Sequence, residues 1–314
     1  MVAIILLGLC TQASAQFRVV GYVHPGGNLA DLHKVDFKKL SHLNIAFVNP
    51  DSSGNLVVPV GFDALIQRAH RHGVKVLASI GGGSHNPYYA RLLTDEYRDS
   101  FIAKLAQLTT TAALDGLDVD LENDAIDANY SKFVTGLSLR LKPLNKLLTA
   151  ALATWNGNSI SDSALQAFDF INVMSYDQTG PWNPAKPGPH ATYQKATEDL
   201  DYWLNIRKVQ KERFHLGLPF YGYGFGTQYG ESLSYRDIIK IFPGAEQKDE
   251  IHPQSGGAIY YNGVATIEKK TQLAYEKAGG VMIWQVLQDA KGRRSLLRAI
   301  YQTVREGQKQ KRSA

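Results

Sequence analysis

Short apolar runs recur along the chain at residues 19–23, 43–48, 74–80, 116–121, 147–153, 170–176, 215–219 and 280–286. They predict eight β-strands. Between them lie segments with helical spacing of apolar positions. In 62–72, Phe62, Leu65, Ile66 and Ala69 fall on one face, and Gly73 offers a stop. Segments 97–108, 130–141, 192–204 and 266–278 repeat the pattern. Strand and helix in alternation imply parallel pairing, and eight such strands predict a closed (β/α)8 barrel, a TIM barrel, in a single α/β domain. Chemistry in such a barrel sits at the C-terminal ends of the strands.

The fourth run departs from an ordinary core strand. In Asp115-Gly116-Leu117-Asp118-Val119-Asp120-Leu121-Glu122, period two puts Asp118, Asp120 and Glu122 on one face and Leu117, Val119 and Leu121 on the other. Buried unpaired charge is costly, so the acidic face should open onto a cavity while the apolar face packs against helices. Asp115 has the opposite parity and reads as structural. A calcium loop would need glycine at its sixth position, where counting from Asp118 or Asp120 finds Asn123 or Ala125. No metal site is therefore expected.

Other unusual residues fall at the same predicted rim. The third strand ends in Ser79-Ile80-Gly81-Gly82-Gly83, the sixth in Met174-Ser175-Tyr176-Asp177, and the eighth carries Trp284. Alternation groups Asn172, Met174 and Tyr176 on one face, and Met282 with Trp284 on another. The glycine run lacks the P-loop lysine and the G-x-G-x-x-G spacing, so it reads as a close-packing turn and not a phosphate cradle.

The octet resembles the D-x-x-D-x-D-x-E signature of glycoside hydrolase family 18, which includes chitinases and endo-β-N-acetylglucosaminidases. The S-x-G-G and M-x-Y-D segments and the late barrel tryptophan of that family match Ser79-Ile80-Gly81-Gly82, Met174-Ser175-Tyr176-Asp177 and Trp284, in order. The resemblance implies a retaining hydrolase that cleaves β-1,4 bonds next to N-acetylglucosamine in chitin or chitooligosaccharides. An endo-β-N-acetylglucosaminidase acting on the chitobiose core of N-glycans and a silent glycan-binding barrel are the alternatives.

Glycoside hydrolysis needs an acid to protonate the departing oxygen and a group to stabilise the anomeric carbon. Glu122, last in the ladder, is the candidate acid, kept protonated by the like charges Asp118 and Asp120. The resemblance implies that the substrate's 2-acetamido oxygen is the nucleophile, that Asp120 orients the acetamido N–H, and that Tyr176 bonds its carbonyl oxygen. It further implies that Asp118 shares charge with Asp120, that Trp284 floors the sugar site, and that Glu122 later serves as base. Tyr22, Phe47, Met174 and Asp177 are implied as the wall around the sugar, with barrel packing as the competing reading. No cofactor is implied.

This chain departs from many chitinases by having Asn123-Asp124 after the acid in place of Tyr-Pro. Residues 222–264 are too short for the α+β insertion domain of processive members, which points to a bacterial-type enzyme with a shallow groove and internal cleavage. Tyr221, Tyr223, Phe225, Tyr229 and Trp182 crowd this region as sugar platforms or loop packing, and Tyr221 counts among the candidate sugar contacts.

Composition adds limits. The 314 residues are 44% hydrophobic and 20% charged, as in a soluble globular protein, and no linker marks a domain boundary. The net charge of +5 is mild, and part of it lies in residues 305–312, a solvated tail and not a nucleic-acid surface. Residues 1–15 read as a signal peptide ending in Ala13-Ser14-Ala15, with an apolar core too short to span a bilayer. No Lys or Arg precedes that core, as would follow from a true start upstream; simple secretion is expected, with lipidation of Cys10 disfavoured by the bulky Leu9. Cys10 is the only cysteine, so the mature chain has no disulfides, which suits a bacterial secreted or periplasmic protein. The expected organisation is a signal at 1–15, a catalytic domain at 16–306 and a basic tail at 307–314. The expected partner is an N-acetylglucosamine oligo- or polysaccharide, with no nucleic acid, no stable membrane insertion and a monomeric state.

Overall fold

The computed structural model describes residues 16–24, 35–84 and 86–313. The expected signal peptide and Cys10 lie outside the described residues. The chain begins with β1 (Arg18–Val23), β2 (His42–Ala46), α1 (Phe62–Arg71), β3 (Lys75–Gly81), α2 (Tyr88–Leu92), α3 (Arg98–Thr111), β4 (Gly116–Asp120) and α4 (Tyr130–Leu141). It continues through β5 (Leu147–Leu152), α5 (Asp162–Ala167), β6 (Phe170–Val173), α6 (Tyr193–Asp201) and β7 (Phe214–Pro219). The last part holds β8 (Tyr221–Phe225), β9 (Ser232–Ser234), α7 (Tyr235–Ile241), β10 (Glu250–Ile251), β11 (Ala258–Tyr260), α8 (Val264–Lys277), β12 (Gly280–Trp284) and α9 (Leu296–Ser313).

Eight parallel strands close the expected TIM barrel in the order β1-β12-β7-β6-β5-β4-β3-β2. Strand parity explains why the ring closes with two different faces. Outward residues such as Ile45, Ile80, Val119, Val173 and Ile283 join one apolar core with the helices, including Phe62, Leu65, Ile66 and Ala69 of α1. Inward positions carry polar and acidic groups, among them Asn44, Ser79, Asp118, Thr149, Asn172 and His215, all buried. Asp115 is structural as its parity predicts: its Oδ2 accepts from the Val76 amide at 2.7 Å and lies 2.8 Å from His70 Nε2.

The sixth strand is shorter than its sequence suggests. It ends at Val173, where the Ser175 amide turns back to the Val173 carbonyl at 2.9 Å, so Tyr176 and Asp177 sit on the turn beyond it. Glu122 likewise lies two residues past the end of β4. The glycine run after β3 is the expected close-packing turn. Gly81 has φ +104°, and a Cβ there would lie 2.2 Å from the Asp120 carbonyl oxygen; the Gly82 amide donates to that oxygen at 2.7 Å. Gly81→Ala is expected to cost about 3 kcal/mol, from backbone strain plus the clash, measured by chemical denaturation.

Between β7 and β12 the chain carries a four-stranded antiparallel sheet, β10-β11-β8-β9, with α7, and no larger α+β insertion domain. The C-terminal segment differs from its expectation. The boundary placed after residue 306 falls inside α9, because a stripe of Leu296, Leu297, Ile300 and Val304 is buried and extends to Gly307. A Cβ on Gly307 would lie 2.4 Å from the Tyr275 ring, and Lys311 Nζ lies 4.5 Å from the centre of that ring. The basic segment is therefore helical, with residues 308–313 exposed to solvent and Lys311 resting against the Tyr275 ring.

Candidate active site

Period two on β4 aims Asp118 and Asp120 into the barrel. Asp118 is held from four strands: Tyr22 and Ser79 donate to Oδ2 at 2.7 Å each, Thr149 donates to Oδ1 at 2.5 Å, and Asn172 Nδ2 lies 3.4 Å from Oδ1. Burial raises the Asp118 carboxyl, and these four donors oppose the rise. Asp120, one pleat higher, is 3% exposed, and its Oδ1 has no partner among the described residues. Burial first, and then the charges of Glu122 and Asp118, push its carboxyl well above the usual carboxylate range.

Glu122 stands half-buried at the open end, its carboxyl pushed up to about 7 by burial and then by the charge of Asp177. The sequence assigned that effect to Asp118 and Asp120. The acid is kept protonated by desolvation and by a residue from the turn after β6, while repulsion within the ladder falls on Asp120.

Tyr176 and Asp177 face the ladder from the turn after β6. Among the described residues the Tyr176 hydroxyl has only a weak acceptor, Met282 Sδ at 3.7 Å, which leaves it able to donate to a bound ligand. Asp177 adopts φ +59°, and its Oδ1 accepts from Tyr221 at 2.5 Å and Tyr223 at 3.0 Å, with His190 Nδ1 at 3.3 Å. Trp284 is half-buried, with ring centres of Tyr22 at 5.7 Å, Phe47 at 5.8 Å and His24 at 6.0 Å. Tyr22, Tyr176 and Tyr221 pack in one buried cluster, flanked by partly accessible Phe47, Met174 and Trp284.

The structure therefore gathers Glu122, Asp120, Asp118, Tyr176, Asp177, Met174, Phe47 and Trp284 around one mouth, with Tyr22 and Tyr221 just behind. Tyr22 and Tyr221 differ from the expected sugar-facing wall. They are 1% and 5% exposed, and their hydroxyls are committed to Asp118 and Asp177. They hold the acids in place. Sequence reasoning did not single out Thr149 or His190. Inward parity on β5 could have found Thr149, whereas His190 lies 13 residues beyond Asp177 with no local pattern to mark it.

A hollow of about 500 Å³ runs from Trp284, His24 and Phe47 along Gly82 and Gly83 to Val57 and Val58. A smaller one of about 110 Å³ lies beside Glu122 and is lined by Ser84, Asn86, Tyr89, Asn123 and Asp127. Asn49 ties this region together: its side chain donates to the Gly81 carbonyl at 2.9 Å and accepts from the Gly81 amide at 2.7 Å. Among the described residues, no three His, Cys, Asp or Glu side chains are grouped to hold a metal ion. Chemically, the mouth offers one proton-bearing acid, one buried carboxylate lacking a donor, one available phenol and an aromatic floor.

The sequence profile of Glycosyl hydrolases family 18 matches residues 18–289. The crystal structure of a family 18 chitinase from the chitin utilization locus of Flavobacterium johnsoniae is similar at 38% identity and a TM-score of 0.87, covering 93% of this chain and 95% of that one. A chitinase from Bacteroides thetaiotaomicron is similar at 28% identity and a TM-score of 0.79, covering 93% of this chain and 97% of that one. A chitinase-like effector of Moniliophthora roreri is 27% identical over 75% of this chain and 66% of its own length. The chain spans 58% to 66% of the length of the first curated relatives it matches.

Proposed function

This chain belongs to glycosyl hydrolase family 18, and from that premise we propose that it hydrolyses β-1,4 linkages next to N-acetylglucosamine in chitin or chitooligosaccharides, retaining anomeric configuration. The observation that carries the proposal is Glu122, an acid at the barrel mouth whose carboxyl is raised to about 7 in line with two buried aspartates. Such a group holds its proton in the pH range where a glycosidic oxygen must receive one.

In the first step Glu122 gives its proton to the departing oxygen as the bond from that oxygen to the anomeric carbon breaks. The substrate's 2-acetamido oxygen attacks the anomeric carbon from the other face and forms an oxazolinium ion. Asp120 suits the companion role, because its unpartnered Oδ1 accepts the acetamido N–H, which gains acidity as positive charge develops. Tyr176 donates its hydroxyl hydrogen to the acetamido oxygen and aligns it. Asp118, whose four donors oppose the upward push of burial and favour its ionised form, faces Asp120 and in that form favours the N–H contact. Glu122, now a carboxylate, takes a proton from water as that water adds to the anomeric carbon. Trp284 and Phe47 floor the sugar, and the hollow extending to Val57, 59% exposed, suits a substrate longer than one unit.

The printed names of the relatives, chitinases and chitinase-like effectors, favour the same sugar class. A barrel that only bound glycans would gain nothing from an unpartnered buried Asp120, which costs stability. Export to the cell exterior or periplasm, the expectation from residues 1–15, belongs to the same proposal, since a polymeric substrate is met there.

The pH dependence follows from the acid. Because the protonated form of Glu122 is the reactive one, kcat/KM is expected to fall as pH rises through about 7, and because Asp118 works in its ionised form, an acidic limb is expected where Asp118 takes up a proton. Asp177→Asn, by removing a negative charge, should lower the Glu122 pKa and move the alkaline limb to lower pH. Initial rates on a chitooligosaccharide over about pH 5 to 9 measure both.

The deciding experiment is mass-spectrometric product analysis after incubation with chitohexaose and with a high-mannose glycoprotein. Cleaved chitohexaose supports the proposal. Released glycans bearing one reducing-end N-acetylglucosamine would instead identify an endo-β-N-acetylglucosaminidase, and binding of both substrates without cleavage would sink the hydrolase reading.

A further inference from the structure

Beneath Asp118 lies a histidine that the proposed chemistry does not use. His215 is inward-facing on β7 and fully buried, with its Nδ1 3.1 Å from Asn172 Oδ1. An amide oxygen only accepts, so the hydrogen in this contact belongs to His215 Nδ1. The NH2 of Asn172 then points the other way, 3.2 Å from the Tyr22 hydroxyl and 3.4 Å from Asp118 Oδ1. Reversing the amide would aim a carbonyl oxygen at a carboxylate oxygen and at a hydroxyl whose hydrogen is already given to Asp118. Both contacts would become repulsive.

The surroundings select the required tautomer. His215 Nε2 has no partner among the described residues, and an unpaired lone pair costs less in a core than an unpaired N–H. The ring is fixed by Phe170 at 4.4 Å between centres and by Gly280, where a Cβ would come within 2.9 Å of His215 Cδ2. The charged and titratable groups facing it are Arg18 from β1 and His42 from β2; after burial, both push His215 away from protonation. Asp118 faces the donors Tyr22, Ser79, Thr149 and Asn172, with the charge of Asp120 above it.

We propose that His215 is a positioning residue for the acid ladder: as the neutral Nδ1–H tautomer it locks the Asn172 amide with its NH2 toward Asp118. The inference rests on the reading above that Asp118 works in its ionised form. One of the four donors that favour that form then depends on a histidine two contacts away from the chemistry. Losing the lock frees the amide to turn and weakens the preference of Asp118 for its charge.

Two measurements test this. Long-range proton–nitrogen NMR correlations on histidine-labelled wild type should show His215 neutral with hydrogen on Nδ1; an Nε2–H or imidazolium pattern would overturn the proposal. This readout needs no activity. In the pH profile of kcat/KM, His215→Leu should move the acidic limb upward by about one pH unit. His215→Gln, whose side-chain amide can donate to Asn172 Oδ1, should restore it. Asn172→Leu should reproduce the shift, and adding His215→Leu to it should move the limb no further. An unmoved limb in an active His215→Leu enzyme, even with a lower Tm, would mean a merely structural role and overturn the inference. If His215→Leu does not fold, the wild-type tautomer and the His215→Gln profile decide. Wild type that cuts no sugar would sink the hydrolase reading while leaving the tautomer result to stand or fall separately.

Discussion

Glu122→Gln is expected to lower kcat on chitohexaose by about 10²- to 10⁴-fold while sugar affinity stays within a few-fold. The amide has nearly the shape of the carboxyl and can still donate a hydrogen bond to the glycosidic oxygen, so the bound complex should persist. It cannot transfer a proton, so the carbon–oxygen bond breaks without an acid. Reducing-end release gives kcat, and calorimetric titration gives affinity; near wild-type turnover would refute the assignment of Glu122.

Asp120→Asn should cost about 10²- to 10³-fold in kcat and should also raise the thermal midpoint at neutral pH. The activity loss follows from its position: the unpartnered Oδ1 is the acceptor available to an acetamido N–H, and an amide carries no charge to answer the positive charge that develops there. The stability gain follows from linkage. Burial and the neighbouring carboxylates raise the Asp120 pKa in the folded protein, so the folded state binds this proton more tightly than the unfolded one does. The penalty is absent below the unfolded value of about 3.9, grows as pH rises toward the folded value, and is fully present above it. The stabilisation of Asp120→Asn should therefore vanish in acid. Thermal melts at neutral and acidic pH read it, and a variant no more stable at neutral pH would refute the electrostatic account of the ladder.

Much of this site could be read from β4 alone. Period two separates Asp118 and Asp120 from Leu117 and Val119, and the structure places the first pair in the barrel and the second against helices. Spacing along a strand carries no information about distant partners. The charge that raises Glu122 after burial comes from Asp177, and the groups that hold Asp177 come from the rim sheet and from His190. The same limit hid the rim sheet, whose strands β9 and β10 have three and two residues, too few for a period to show. Helix α9 was obscured for another reason: the charges of its last turns read as a tail although its apolar stripe continues to Gly307. The end of β6 was misplaced because a backbone hydrogen bond from Ser175 to Val173, with no signature in side-chain pattern, turns the chain before Tyr176.

The closure of the barrel has a consequence for the order in which the protein can come into being. Arg18 of β1 pairs with Gly280 of β12, so the first and last strands of the ring meet only after nearly the whole chain is present. Contacts this distant in sequence are slow to form, and until they do the edges of β1 and β7 stand open to other strands. The acids of β4 emerge early, whereas Trp284 arrives with the strand that seals the ring. A nascent chain thus carries its carboxylates long before Trp284 stands beside them, and the proposed site is completed in one step with closure.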